Sequence, residues 1–172
     1  MRKIRYSVAM SLDGYISGPN GEADWIVIDP EFNFGELWAQ FDTLLMGRRT
    51  YEAAIARLGK SSMQGMKILV ASRTMRQADH PETTILSALN RESLQMLRAQ
   101  NGKDIWLMGG GELFHLLLDM GEVDTVEVSI VPVLLGGGVA LLPSPAQRTR
   151  LTLSSHKIHR SGLVSLIYEV HH

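Results

Sequence analysis

The stretch Leu44-Leu45-Met46-Gly47-Arg48-Arg49-Thr50-Tyr51-Glu52 decides how this chain is read. An apolar run stops at one glycine, two arginines and a threonine follow, and a helical spacing of Tyr51, Ala54, Ile55 and Leu58 begins. The pattern describes a buried strand that ends, a turn, and a helix. Thr50 is a good N-cap for that helix, and Gly59 would close it. Two cations at such a turn admit two readings. They are surface charges paired with nearby carboxylates, or they join the helix amides in an anion site, whose usual occupant is phosphate.

Upstream, residues 4–10 alternate apolar and polar before turning apolar, and a strand near the centre of a sheet is expected. Residues 11–21 (SLDGYISGPNG) read as a long loop, and long ordered loops are often functional. Asp13-Gly14 within it could equally be a plain turn. Asp24-Trp25-Ile26 closes the loop with a large aromatic. Asp29 then reads as an N-cap with Pro30 at the first helical position. Phe34, Leu37, Trp38 and Phe41 follow at i, i+3, i+4 and i+7, one apolar helix face.

Downstream, residues 67–71 form a short β-branched run that ends at Ser72-Arg73-Thr74, again a cation among hydroxyls. Residues 83–86 are a short strand. Asn90 caps a helix carrying Leu94 and Leu97. Residues 104–108 are a strand running into Gly109-Gly110-Gly111, then a helix with Leu113, Phe114, Leu117 and Leu118 inward, stopped at Gly121. From Val126 the pattern changes to strands at 126–133, 151–159 and 163–170, the last two joined as a hairpin by Arg160-Ser161-Gly162. The fold class is α/β: three layers, α-β-α, with a mostly parallel central sheet of about eight strands and an antiparallel C-terminal hairpin. No repeat, low-complexity tract or linker interrupts it, so residues 1–172 are expected to be one domain. His171 and His172 are a native end or a trimmed tag.

Composition narrows the function classes. The chain has 172 residues, 45% hydrophobic and 20% charged, as in a soluble globular protein. Its net charge of -1 gives no basic field for nucleic acid. It has no cysteine, hence no disulfide, thiolate metal site or thiol nucleophile. No apolar run would span a bilayer and no signal core follows Met1, so a cytoplasmic protein without membrane partners is expected. The six histidines show no ligand spacing; His156 and His159 fall in a strand, and no metal is expected.

Three strand ends therefore carry unusual chemistry: Gly47-Arg48-Arg49-Thr50, Ser72-Arg73, and Gly109-Gly110-Gly111-Glu112. In a parallel sheet these ends share one edge, where ligands bind. Three glycines at a strand-to-helix turn let backbone lie against a ligand, with helix amides facing its phosphates. Phe114 stands where the Rossmann fingerprint needs a small residue, and the P-loop lysine is absent. Arginine rather than an acid beside such a pocket favours a 2′-phosphate, hence NADP over NAD.

The order of elements and the motifs MGRRTYE (residues 46–52) and GGG (109–111) resemble the dihydrofolate reductase fold. Ser11-Leu12-Asp13-Gly14 and Pro132-Val133-Leu134-Leu135-Gly136-Gly137 resemble more closely the reductase domain of the riboflavin-biosynthesis deaminase–reductase. The match spans essentially the whole chain. The resemblance implies that Gly47, Arg48, Arg49 and Thr50 bind the NADPH phosphates and that Ser72 and Arg73 hold the adenosine 2′-phosphate. It implies that Gly109, Gly110, Gly111, Glu112 and Leu113 pass beneath the pyrophosphate and nicotinamide. Ala9 would contact the carboxamide through its backbone, residues 13–21 would cover the nicotinamide, and Ser129 would face the substrate.

Dihydrofolate reductases carry a pterin-anchoring acid after the loop tryptophan; Asp29 is nearest to it here, though the spacing differs. The deaminase half would need zinc-ligand cysteines, so a stand-alone reductase is the most this chain can be. Trp25 reads as core or as pocket wall on the substrate side, and Asp13, Asp29 or a loop-held water is the candidate proton source. The expected activity is NADPH-dependent hydride transfer to a pyrimidine- or pteridine-type heterocycle, resembling 5-amino-6-(5-phosphoribosylamino)uracil reductase. A dihydrofolate reductase and a non-catalytic nucleotide-binding protein are the alternatives. The resemblance implies that the family's reductase domains often pair; a homodimer is one reading, and the oligomeric state stays open.

Overall fold

The computed structural model describes residues 1–27 and 29–171, with the side chain of Lys60 left aside. His172, one of the two terminal histidines, lies outside the described residues. The first strand, β1 (Ile4–Ser11), is followed by the short β2 (Tyr15–Ser17), helix α1 (Phe34–Trp38), β3 (Phe41–Gly47) and α2 (Arg48–Leu58). Then come β4 (Lys67–Ala71), β5 (Thr84–Leu86), α3 (Arg91–Ala99), β6 (Asp104–Gly109) and α4 (Gly111–Asp119). The chain ends with β7 (Thr125–Val131), β8 (Val139–Ala140), β9 (Leu151–Ile158) and β10 (Val164–Val170). The main sheet has eight strands in the order β5-β4-β3-β6-β1-β7-β10-β9. The pairs from β5 to β7 are parallel, and β10 pairs antiparallel with both β7 and β9.

Both faces of the sheet are covered, which explains why the central strands are apolar on both sides. On one face Ile4, Tyr6, Leu45 and Leu107 pack beneath Leu94 and Leu97 of α3 and Leu113, Phe114 and Leu117 of α4. On the other, Leu44, Met46, Val70 and Trp106 pack beneath Tyr51 of α2, with Leu37 and Trp38 of α1 at the margin. Helix α3 starts as its sequence predicts: the Asn90 side chain accepts from Ser93 N at 2.8 Å, and Ser93 Oγ accepts in return from Asn90 N. Such reciprocal caps satisfy two donors that the helix itself cannot.

Three local expectations change. Asp29 does not cap a helix running to Phe41. Its carboxylate accepts from Glu31 N at 2.7 Å and its carbonyl from Phe32 N at 2.9 Å, which makes a turn. Helix α1 starts after Asn33, and Phe41 opens β3. Thr50 is not the N-cap of α2; Gly47 is, and Thr50 lies in the first helical turn. Residues 11–21 are only partly loop, since β2 pairs antiparallel with β8.

Candidate functional site

Gly47 ends β3 in register with Ala71 of β4, and Met46 pairs with Gly109 at the end of β6. Adjacency of β4, β3 and β6 therefore brings Ser72-Arg73, Gly47-Arg48-Arg49-Thr50 and Gly109-Gly110-Gly111 to one sheet edge. Two helix N-termini meet there. Neither Gly47 before α2 nor Gly110 before α4 offers a side-chain cap, so the first-turn amides of both helices stay uncommitted. Their dipoles add about half a positive charge each at the same edge. Thr50 Oγ1 lies 3.7 Å from where a Cβ on Gly110 would stand, so its hydroxyl faces the glycine run.

The cations there divide. Arg48 pairs with Glu52 one helical turn on at 3.0 Å, an exposed pair worth about 0.3–0.5 kcal/mol. That pairing is the one the surface reading describes. Arg49 and Arg73 are exposed and make no ion pair among the described residues. Ser72 Oγ accepts from Thr74 N and Met75 N, a turn that fixes the residues around Arg73. Glu112 is exposed in the first turn of α4, whereas the Leu113 side chain is buried in the core and only its amide faces the edge.

The glycine run is shaped by its neighbours. Gly109 has φ +99, open to glycine alone at low cost, and the Gly109–Gly110 peptide is cis. A Cβ on Gly111 would stand 2.6 Å from the Ala140 carbonyl oxygen. Beneath Gly109 lies the Tyr6 hydroxyl, buried and without a hydrogen-bond partner among the described residues. Burial pushes its pKa up, which keeps it a proton-bearing donor.

Strand β1 opens a gap beside this edge. It pairs with β6 only from Ile4 to Tyr6, while its pairing with β7 continues to Ser11. The Ser7 carbonyl is taken by Trp106 Nε1 at 2.8 Å. By the two-residue period of a strand, the backbone of Ala9 faces the same gap, beyond the end of the β1–β6 ladder. Ala9 is in register with Ser129 of β7.

Ser129 lines a cavity of about 340 Å³ on the α1 side of the sheet. Its floor carries Arg5, Ser7, Glu127 and Ser165, and residues 31–33 with α1 form the opposite wall. Arg5 Nε and Nη2 reach the two Glu127 oxygens at 2.6 and 3.0 Å, and Thr125 Oγ1 donates to the same carboxylate at 2.8 Å. The wall also holds His159, which is 4% exposed. The sequence pointed to none of these except Ser129. One signal was present: Arg5 and Ser7 alternate as polar positions on a central strand, which marks a stretch of that face not packed against apolar side chains.

Three predicted residues lie away from the cavity. Trp25 is half-buried, donates from Nε1 to Glu22 O at 3.1 Å, and is not among the lining side chains. Asp13 is tied down: Ser11 Oγ, Leu135 N and Gly136 N all donate to its carboxylate. The Ser11 hydroxyl and those amides pull its pKa to about 2, so it carries no proton to give at neutral pH. Asp29 is 2% exposed and sits behind His159 rather than in the cavity. The Ser161 side chain and the Glu31 amide hold its carboxyl below the usual range, so it too is an anion.

Among the described residues no group of three His, Asp or Glu could hold a metal ion, and no helix is long and apolar enough to cross a membrane. Residues 2–165 match the model of the RibD C-terminal domain. The chain is 33% identical to the uncharacterized protein YyaP of Bacillus subtilis, over 97% of this chain and 94% of that one. Among solved structures, a candidate riboflavin biosynthesis protein from Shewanella sp. PV-4 superposes with TM-score 0.84 at 23% identity, each chain covered completely. A deaminase/5-amino-6-(5-phosphoribosylamino)uracil reductase from Thermotoga maritima gives 0.76 at 15% identity, over 99% of this chain and 57% of that one. Enterococcus faecalis dihydrofolate reductase, complexed with NADP(H), gives 0.71 at 14% identity, over 99% and 97%.

Proposed function

The chain belongs to the RibD C-terminal domain family, with the dihydrofolate reductase-like fold of riboflavin-pathway reductases, and from that premise we propose that it is an NADPH-dependent reductase. The observation that carries the proposal is the juxtaposition of Ala9 and Ser129. One faces the gap beside the uncapped helices, the other the cavity, so a dinucleotide along the edge and a heterocycle in the cavity would meet across one strand pair.

The donor set fits such a dinucleotide. The amides of α2 and α4 with Arg48 and Arg49 would hold its phosphates, and Arg73 its 2′-phosphate. Thr50 and the Gly109-Gly110-Gly111 backbone would lie against the pyrophosphate. The cofactor, when bound, supplies hydride. The chain's own residues position both partners, exclude water and hold the accompanying proton.

The substrate class we assign is a pyrimidine or pteridine precursor, with 5-amino-6-(5-phosphoribosylamino)uracil first and dihydrofolate second. Asp29, the nearest match to a pterin-anchoring acid, is already occupied by Glu31 and Ser161, which favours the pyrimidine. We extend the proposal to a homodimer, since every residue of the edge strand β9 is exposed. A panel assay following NADPH absorbance with both substrates tests the activity. Oxidation of NADPH with neither, together with no rise in melting temperature on adding NADPH, would leave a non-catalytic protein that keeps the fold.

A further inference from the structure

One chain of polar groups bordering the cavity has no part in binding the dinucleotide. His159 Nε2 lies 3.0 Å from Ser165 Oγ, and Ser165 Oγ lies 3.4 Å from Ser129 Oγ. The two serines stand opposite each other in the β7–β10 ladder. Behind the ring, Nδ1 has no hydrogen-bond partner among the described residues; Asp29 Oδ1 is 4.0 Å away. Asp29 is itself fixed by Glu31 N at 2.7 Å and Ser161 N at 3.3 Å. A proton on Nδ1 therefore faces a carboxylate, which leaves Nε2 as the nitrogen that exchanges with the Ser165 hydroxyl.

We propose that Asp29, His159 and Ser165 form a proton relay whose hydroxyl end delivers a proton to the substrate atom reduced in this cavity. The inference rests on the reductase reading above. Hydride supplied by NADPH adds to the carbon of a C=N or C=O bond, and the π pair moves to nitrogen or oxygen. That atom takes the proton of Ser165 Oγ, which takes one from His159 Nε2. The ring, left neutral, regains its proton from water, so one NADPH and one proton are consumed per bond reduced. Ser165 and His159 border the substrate; Asp29 is a positioning residue that fixes the tautomer.

The same residue types act as nucleophile, base and orienter in hydrolases. Here Ser165 lies mid-strand with its backbone paired to β7 on one side and β9 on the other. With the strand's own backbone committed to both ladders and not to an oxyanion, the arrangement suits proton transfer and not acyl transfer. The charged groups sharing the cavity with the ring are Glu31, Glu36, the Arg5–Glu127 pair, His156 and Lys157. Arg160, next to the ring in sequence, pairs with Glu31 at 3.3 Å. Asp29 is the one carboxylate within 4.0 Å of Nδ1 among the described residues.

Long-range ¹H–¹⁵N spectra of histidine-labelled protein, with the signal assigned through His159→Gln, read the ring without any ligand. The relay predicts a neutral form protonated on Nδ1, a preference that is lost in Asp29→Asn. A neutral form protonated on Nε2, or a tautomer indifferent to Asp29→Asn, would overturn it. With NADPH and 5-amino-6-(5-phosphoribosylamino)uracil as probes, His159→Gln should lower kcat by about a hundred- to ten-thousandfold while NADPH affinity and KM hold. The alkaline limb of the kcat profile should vanish with it, and Ser165→Ala should show a smaller loss. A wild-type profile in His159→Gln overturns the relay. Absence of NADPH oxidation in the wild-type protein overturns the reductase reading alone, and the spectra still decide the relay.

Discussion

The Asp13 carboxylate accepts a 2.7 Å hydrogen bond from the Gly136 amide, which fastens the loop after β1 to the segment between β7 and β8. Leu135 N adds a bond at 3.1 Å, and Leu12 N donates to Val133 O at 2.9 Å. The strand pair β2–β8 continues the same seam. Two segments that flank the proposed nicotinamide gap are thus joined by three hydrogen bonds and a strand pair.

The seam should be acid-sensitive in a defined window. Hydrogen bonds from Ser11, Leu135 and Gly136 lower the Asp13 pKa from 3.8 to about 2. A depressed carboxyl contributes stability above its unfolded pKa and loses it as pH falls through the folded value. The Leu135 and Gly136 amides should therefore be protected from exchange above about pH 4 and lose protection on approaching pH 2. Asp13→Asn should remove this pH dependence. A carboxyl titration found at the ordinary 3.8 would contradict the seam.

Arg73 should choose between NADPH and NADH. It is exposed and makes no ion pair among the described residues, so Arg73→Ala should leave stability within about 0.5 kcal/mol. A charge-assisted contact to a 2′-phosphate is worth about 1.5–3 kcal/mol, roughly a ten- to hundredfold change in affinity. NADPH affinity should fall by that factor and NADH affinity should not. Equal losses for both cofactors would return Arg73 to the surface.

Gly110 and Gly111 should separate cofactor binding from folding. A Cβ on Gly111 would stand 2.6 Å from the Ala140 carbonyl oxygen, a backbone atom that cannot swing away. Gly111→Ala should cost about 1–3 kcal/mol in denaturant unfolding. A Cβ on Gly110 would meet only Thr50 Oγ1 at an ordinary 3.7 Å. Gly110→Ala should fold normally yet bind NADPH more weakly, because the methyl group occupies the space between the two helix N-termini. Unchanged NADPH affinity in that variant would place the phosphates elsewhere.

What could be read from the sequence was local. The apolar run before Gly47, the glycine triplet and the Asn90 cap each carry their geometry within a few residues. The alternating β/α order gave the layers. The start of α1 was not legible because Asp29-Pro30 satisfies every local capping rule. The cap falls instead at Asn33, and the second Asp29 oxygen accepts from Ser161, far along the chain. The gap at Ala9 depends on where the β1–β6 ladder stops, a property of two strands distant in sequence. His159 gave no signal, since a lone histidine at a strand end has no spacing to betray a partner.

Glu127 anchors the cavity floor, and its removal should test how dry that floor is. Its side chain is 7% exposed and that of Arg5 is 12%, and the two are joined by a double hydrogen bond. Burial alone would lower the Arg5 pKa; the Glu127 hydrogen bond and charge reverse this and raise it. Glu127→Ala leaves a guanidinium largely out of water, with Gln40, Asp104 and the Phe41 ring as its remaining partners among the described residues. Breaking one partner of a buried pair costs about 3–5 kcal/mol, mostly as the penalty of the charge left behind. Glu127→Gln keeps one oxygen acceptor and should cost less. The double variant Arg5→Met with Glu127→Leu removes both charges and should recover much of the loss. If Glu127→Ala and the double variant unfold at the same denaturant concentration, water reaches Arg5 and the floor is wetter than its exposure suggests.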